Sequence, residues 1–417
     1  MPQIPKDDVL DSSVALQSEG YEFVAVRCRR FGSEIFAARL LGETYYCMRG
    51  PDAARMFYEP DRMTRNGALP TFVLHLLQDE GSVATLDGAA HRCRKAMFLT
   101  MMSEARLGEL AAFVRGDLLE QLQGLAGLGP VALHDVFRHV LTRTACRWAG
   151  IELAVEELAD LADELGAMIA EAGHPGPMNW IARGRRRKAE AMIRHIVDEV
   201  RAGRVAADPD RALGIVTAHR DLSGHLLAPE VCTVELLNVV RPIFAVARYL
   251  VFLMAALRDH PELRPRLAAE SDYRHAFVQE VRRLTPFFPV VAGIARHGFD
   301  WQGHRFEAGD RFLLDLYGTT HHEAVWPQAE EFLPDRFLSG PGDAYTLIPQ
   351  GGGDHFANHR CPGEWATIRI MEAVLAAMVR EVDYDVPPQD LSVDLSKLPA
   401  LPRSGFLAAI AAVHPAP

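Results

Sequence analysis

The stretch from Gln350 to Glu364, QGGGDHFANHRCPGE, constrains the fold more than any other part of the chain. Gly351, Gly352 and Gly353 let the backbone turn tightly without side-chain clash. Cys361 then stands between the basic pair His359 and Arg360 and the helix-starting Pro362. A cysteine just ahead of a helix faces the positive end of the helix dipole and unpaired amide donors. Its pKa is expected to fall, and its sulfur can serve as an anionic metal ligand. The other reading of Cys361 is one more buried thiol, since free cysteine is among the commonest core residues.

Two further stretches bear on that choice. Glu280 and Arg283 lie three apart on one face of the helical run HAFVQEVRRL and read as a structural clamp. In WPQAEEFLPDRFL, Trp326, Pro327, Phe332, Pro334, Arg336 and Phe337 form a proline-and-aromatic meander whose arginine can join that clamp. With clamp, meander and glycine-rich cysteine loop in this order, the chain resembles a cytochrome P-450, a haem-thiolate enzyme, nearly end to end. The resemblance implies a mostly α fold with a small β portion, the cytochrome P-450 fold. It also implies haem b (iron protoporphyrin IX) between a long distal helix and the proximal cysteine loop, with Cys361 as the iron ligand. By position in that family, His359, Arg65, His91 and Lys95 are candidates to hold the anionic haem propionates. Ordinary surface charge is the other reading of Arg65, His91 and Lys95.

Composition narrows the rest. No linker, repeat or low-complexity segment divides the 417 residues, and 49% hydrophobic residues are ample for a large core, so residues 1–417 are expected to form one domain. A net charge of -11 argues against nucleic-acid or anionic-membrane binding. The basic run Arg183 to Lys188 reads as a solvated helix face. The six cysteines show no paired spacing, which fits a reducing cytoplasm, and residues 1–20 carry no signal pattern. The most apolar region, Val231 to Leu257, is interrupted by Glu235, Asn238, Arg241, Pro242 and Arg248, so no membrane span is expected.

Periodicity predicts a strand pair at 35–41 and 44–50 with Gly42 and Glu43 at the turn, and a helix from Asp87 that sets His91 and Lys95 one turn apart. Helices are predicted near 104–123, 132–149, 153–172, 185–202, 229–257 and 272–285, with one more after Pro362. Short strands are expected within 290–316, and a pocket-lining loop over 62–88.

Arg241 is the most informative residue. It lies midway through the apolar run VELLNVVRPIFAVARYLVF, where a buried guanidinium costs several kcal/mol, roughly, unless an anion meets it. An acid from another segment is one solution. Pro242, which removes a helix hydrogen bond and opens a kink where a ligand group could enter, favours another. Arg241-Pro242, together with QEVRR, PFFP and IPQGGGD, is similar to the fatty-acid peroxygenase branch of the P-450 family. In that branch, the resemblance implies, this arginine holds the fatty-acid carboxylate where other P-450 enzymes carry an acid-alcohol pair. The carboxylate then acts as general base and acid on hydrogen peroxide.

The expected activity is hydroxylation of fatty acids at the α or β carbon with hydrogen peroxide, without a redox partner. Alkene-forming decarboxylation on the same site, a redox-partner-dependent monooxygenase and a non-catalytic haem and carboxylate binder are the alternatives. Two positions depart from the branch: Ala84 stands where glutamine or histidine is common, and Asn358 where glycine is frequent. Leu76, Leu77, Phe287, Phe288, Val290 and Val291 are candidates for the acyl-chain pocket, plain core being the other reading of each. Phe244 could limit chain length.

Overall fold

The computed structural model describes residues 3–79, 81–340 and 342–414. Its elements are mostly helices with small sheets, as the resemblance implied. A five-stranded sheet runs in the order Ile35–Leu40, Glu43–Met48, Arg311–Asp315, Val290–Ala295, Met63–Thr64. Glu43–Met48 and Arg311–Asp315 pair in parallel, and the other neighbours are antiparallel. The first hairpin turns on Leu41 and Gly42, both left-handed at φ 52° and 83°, one residue earlier than expected. Two positive φ values in a two-residue turn match the right-handed twist of the flanking strands.

The helices Glu104–Leu125, Leu133–Ala149 and Glu364–Arg380 pack together and enclose the larger core. Pro229–Ala245 lies against Leu133–Ala149, Val155–Ala170 and Pro177–Arg201. Pro242 stays inside this helix rather than ending it. The ladder tightens one turn later, where the Val246 amide bonds the Ile243 carbonyl three residues back, and Ala247–Asp259 continues the rod. The expected single helix over 229–257 is therefore two. By length and composition Pro229–Asp259 could cross a membrane, but 67% of its most apolar window is buried inside the molecule, as in a core helix.

Three expectations are corrected. The helix predicted from 185 begins at Pro177, whose fixed φ suits a first helical turn. The stretch expected as loop over 62–88 contains the strand Met63–Thr64 and the helix Thr71–Leu77. The basic run is not simply a solvated face: Arg186 is 3% exposed and donates to the carbonyls of His75 and Gln78 and to Asp79 and Glu190. It thus ties Pro177–Arg201 to the end of Thr71–Leu77.

Candidate active site

The cysteine loop is held from three sides. Gly353, at φ 81°, could not carry a side chain, because a Cβ would stand 2.7 Å from Asn358 Oδ1. That Oδ1 accepts from the Asp354 amide at 2.7 Å while Asn358 Nδ2 donates to the Tyr58 carbonyl at 2.8 Å, so the departure at 358 works as a stitch. Gln350 is bonded through its carbonyl to the Cys361 amide at 3.1 Å, and its Nε2 lies 4.0 Å from Cys361 Sγ.

Behind the loop, buried Arg282 donates to Gln350 Oε1 at 3.1 Å and to Glu364 Oε1 at 2.5 Å, and Arg360 meets the other oxygen of Glu364 at 2.6 Å. Neither Arg282 nor Glu364 stood among the sequence candidates, although Arg282 is the neighbour of Arg283 in QEVRR. The clamp is a separate unit. Arg283 grips Glu280 with two bonds of 2.8 Å, and Arg336 Nε adds a third at 3.2 Å. Arg283 and Arg336 also donate to the carbonyls of Thr320, Ala329, Pro327 and Gln328, which pins the meander to Ser271–Leu284.

The expected fall in the Cys361 pKa is not what this environment gives. Burial pushes the thiol up to about 11, and it outweighs the Gly363 amide and the charges of Lys95 and Arg282. The helix begins only at Glu364, so the sulfur is not in its first turn. A coordinated metal ion removes the proton outright and makes the thiolate ligand.

The four propionate candidates gather near this loop. His91 and His359 stack with ring centroids 3.9 Å apart, and His359 Nε2 lies 2.9 Å from the Leu86 carbonyl. Arg65 donates to the Ala292 carbonyl at 2.7 Å and lies over the Phe57 ring. Lys95 is turned to the loop itself, donating to the carbonyls of Asn358 and Arg360. Burial, then Lys95 and Arg65, hold His91 down at about 4. Burial, then Arg65 and His91, hold His359 at about 2, and burial lowers Lys95 to about 8. Groups that depress one another's protonation in this way form ground that an anion would stabilise.

Arg241 is 8% exposed. Its Nη2 donates to Asn238 Oδ1 at 3.0 Å, while its buried Nη1 has no hydrogen-bond partner among the described residues. Among the described residues no carboxylate lies within ion-pair reach of it. Burial, then the charge of Arg186, pushes Arg241 down to about 9, with Glu235 pulling the other way, so it is a cation at neutral pH. Pro242 is exposed between buried Arg241 and Ile243, which opens this side of an otherwise core helix.

Glu235, six residues before Arg241, reaches it through Asn238. Asn238 Nδ2 donates to Glu235 Oε2 at 2.9 Å, and Glu235 Oε1 accepts from Arg94 Nη1 at 2.6 Å and from the Val83 amide at 2.9 Å. The 235, 238, 241 spacing was legible as one helix face; Arg94 and the Val83 amide were not.

Ala84 follows Val83 in the partly buried turn, whose Thr85 hydroxyl donates to the carbonyls of Asp79 and Ser82. Phe287 stacks on Tyr249 of Ala247–Asp259 with centroids 4.2 Å apart, and Phe288 stands edge-on to Phe287 at 5.0 Å, 42% exposed. Val290 opens the strand that pairs with Asp315. Leu76 is fully buried in the larger core.

The expected haem suits these residues. The loop holds a thiol that could bind a metal, Arg65 and Lys95 with the neutral imidazoles of His91 and His359 offer donors for propionates, and Arg241 Nη1, unpartnered among the described residues beside exposed Pro242, offers a second anion-binding point on Pro229–Ala245.

A family model described as Cytochrome P450 matches residues 254–406. Flavonoid 3'-monooxygenase CYP75B4 of Oryza sativa subsp. japonica is 26% identical over 288 residues, 58% of this chain and 52% of that protein. Cytochrome P450 71D180 of Thymus vulgaris is 29% identical over 153 residues, 35% of this chain and 30% of that protein. The chain spans about half the length, or less, of these curated relatives. Solved structures are more alike. Cytochrome P450EX alpha with myristic acid is 39% identical, with a TM-score of 0.95 over 98% of this chain and 99% of that one. A variant of cytochrome P450SP alpha is 39% identical, TM-score 0.93, over 96% and 98%. A variant of cytochrome P450 OleT in complex with arachidonic acid is 32% identical, TM-score 0.96, over 100% of both.

Proposed function

This chain belongs to the cytochrome P450 family, and from that premise we propose that it is a haem-thiolate peroxygenase that uses hydrogen peroxide to hydroxylate fatty acids at the α or β carbon. The observation that carries the proposal is the buried, half-paired guanidinium of Arg241, a cation with no acid within ion-pair reach among the described residues. A substrate carboxylate is the anion that fits it. Relatives with bound myristic and arachidonic acid support that chemistry.

Haem b, when bound, would supply oxidising iron chemistry, with Cys361 as the residue that would ligate it and Arg65, His91, His359 and Lys95 as those that would hold its propionates. The chain's own part is binding, orientation and proton management. Arg241 Nη1 donates to a carboxylate oxygen, Asn238 fixes the other end of the guanidinium, and the buried surroundings strengthen the pair. A carboxylate so held can accept a proton from one peroxide oxygen and return it to the departing one. Pro242 keeps the helix flank clear for it. The apolar pair Phe287 and Phe288, with Val290 and Ala84, would line the path of the acyl chain. Hydrogen peroxide brings both the oxygen atom and the two oxidising equivalents and leaves as water, so no redox partner is required. The free cysteines suit a reducing compartment, and we assign the protein to the cytoplasm.

The test is incubation of haem-loaded protein with a long-chain fatty acid and hydrogen peroxide, without reductase or nicotinamide cofactor, and product identification by mass spectrometry. Hydroxy acid is expected. Terminal alkene would replace hydroxylation by decarboxylation on the same site, and turnover only with a reductase would refute the peroxygenase assignment.

A further inference from the structure

We infer that Glu235 is a positioning residue that sets which carbon of the substrate is oxidised, acting through Asn238 and Arg241. The inference rests on the carboxylate-anchor reading above and goes beyond it.

Glu235 is fully buried, 0% exposed, and its two oxygens collect three donors from three different parts of the chain: the Arg94 guanidinium, the Val83 amide and the Asn238 side chain. The consequence for Asn238 is electronic as well as steric. An amide side chain has one donor end and one acceptor end. A carboxylate accepts only, so Glu235 draws the donor end of Asn238, and the acceptor end must face Arg241 Nη2. The reversed amide would set oxygen against carboxylate and N–H against guanidinium. Glu235 therefore fixes the turn of the Arg241 guanidinium and leaves its Nη1 as the free donor.

The same carboxylate also fixes the anchor relative to the cysteine loop. Arg94 and Lys95 are consecutive residues of the helix Gly88–Thr100. Arg94 bonds Glu235, and Lys95 bonds the carbonyls of Asn358 and Arg360 on either side of His359, just ahead of Cys361. One helix thus braces the carboxylate anchor against the metal-ligand loop. Neighbouring carbons of an acyl chain differ by a single bond length, and a misplacement of about 1 Å is enough to change a reaction's course. Ala84 has no side-chain hydrogen bond with which to steer the substrate, whereas the backbone beside it is tied to Glu235 through Val83.

Glu235→Asp keeps the charge and withdraws the carboxylate by one methylene, so that the three donors can no longer all be reached. Haem-loaded wild type and variant are given myristic acid and hydrogen peroxide, and two quantities are read: the ratio of α- to β-oxidised product, and the fatty-acid Kd from difference spectra. The variant is expected to shift the product ratio about fivefold or more and to weaken binding about tenfold, with the haem content and Soret band of the wild type. An unchanged product ratio overturns the inference, even if binding weakens, because loosened packing alone would weaken binding without redirecting the oxidation. Should Glu235→Asp not take up haem, Asn238→Ala removes only the middle link and is judged by the same ratio. A wild type that makes neither product refutes the function proposed above, an outcome distinct from a wild type and variant that share one ratio.

Discussion

Replacing Arg241 by methionine keeps most of the apolar stem and removes the charge. Among the described residues the buried guanidinium has one neutral partner, Asn238, and a bare Nη1, so the fold holds it at a cost rather than for a gain. Removing it should leave the thermal midpoint at or above that of the wild type. Binding responds in the opposite sense. Taking away one partner of a buried charge pair costs about 3–5 kcal/mol. At about 1.4 kcal/mol per tenfold, that weakens a fatty-acid carboxylate by about two to three and a half decades. The assay is a titration of haem-loaded protein with myristic acid followed by difference spectra, with peroxide-driven turnover and thermal unfolding measured on the same samples. Arg241→Met should bind haem normally and lose fatty-acid turnover. A Kd within about threefold of wild type, less than about 1 kcal/mol, with turnover retained, would refute the anchor. A large drop in the midpoint with Kd unchanged would make Arg241 structural.

Three further perturbations test the surroundings. Lys95→Met removes a buried donor to two loop carbonyls, each such bond to a charged group being worth about 1.5–3 kcal/mol; haem retained after gel filtration should fall. Glu364→Gln strips the charge that faces buried Arg282 and Arg360, and urea unfolding should show a loss of about 3–5 kcal/mol. Asp315, buried at the end of the strand Arg311–Asp315 with Oδ2 unpartnered among the described residues, is raised by burial from 3.8 to about 7 despite its bond to the Gly318 amide and the charge of Arg49. The unfolded chain has lost this proton above pH 4 while the folded chain still holds it. Stability from the protonated form is therefore lost as pH rises from about 4 to about 7, by up to about 4 kcal/mol. Asp315→Asn should raise the thermal midpoint at pH 8 and leave it nearly unchanged at pH 4.

The sequence by itself determined the parts of this protein that depend on local chemistry. Three glycines followed by Cys361 and Pro362 specify a tight loop before a helix, Glu280 and Arg283 three apart meet on one helix face, and an arginine next to a proline in an apolar helix marks a buried charge that costs the fold unless a partner meets it. These rest on backbone freedom, helical spacing and the cost of burying charge, all of which can be read from neighbours along the chain. The same locality is its limit. The loop by itself implies a lowered Cys361 pKa, whereas burial, which depends on everything packed around the sulfur, pushes it up. The run from Arg183 to Lys188 has the pattern of a solvated face, whereas Arg186 turns inward to carbonyls more than a hundred residues away in sequence.

Tertiary structure alone decided what faces what. Arg94 meets Glu235 across 141 residues and Lys95 meets Arg360 across 265, and no pattern of spacing encodes either pairing. A hydrogen bond between distant segments is set by how helices stack, and stacking follows from the whole set of apolar faces buried together rather than from the two residues that finally touch.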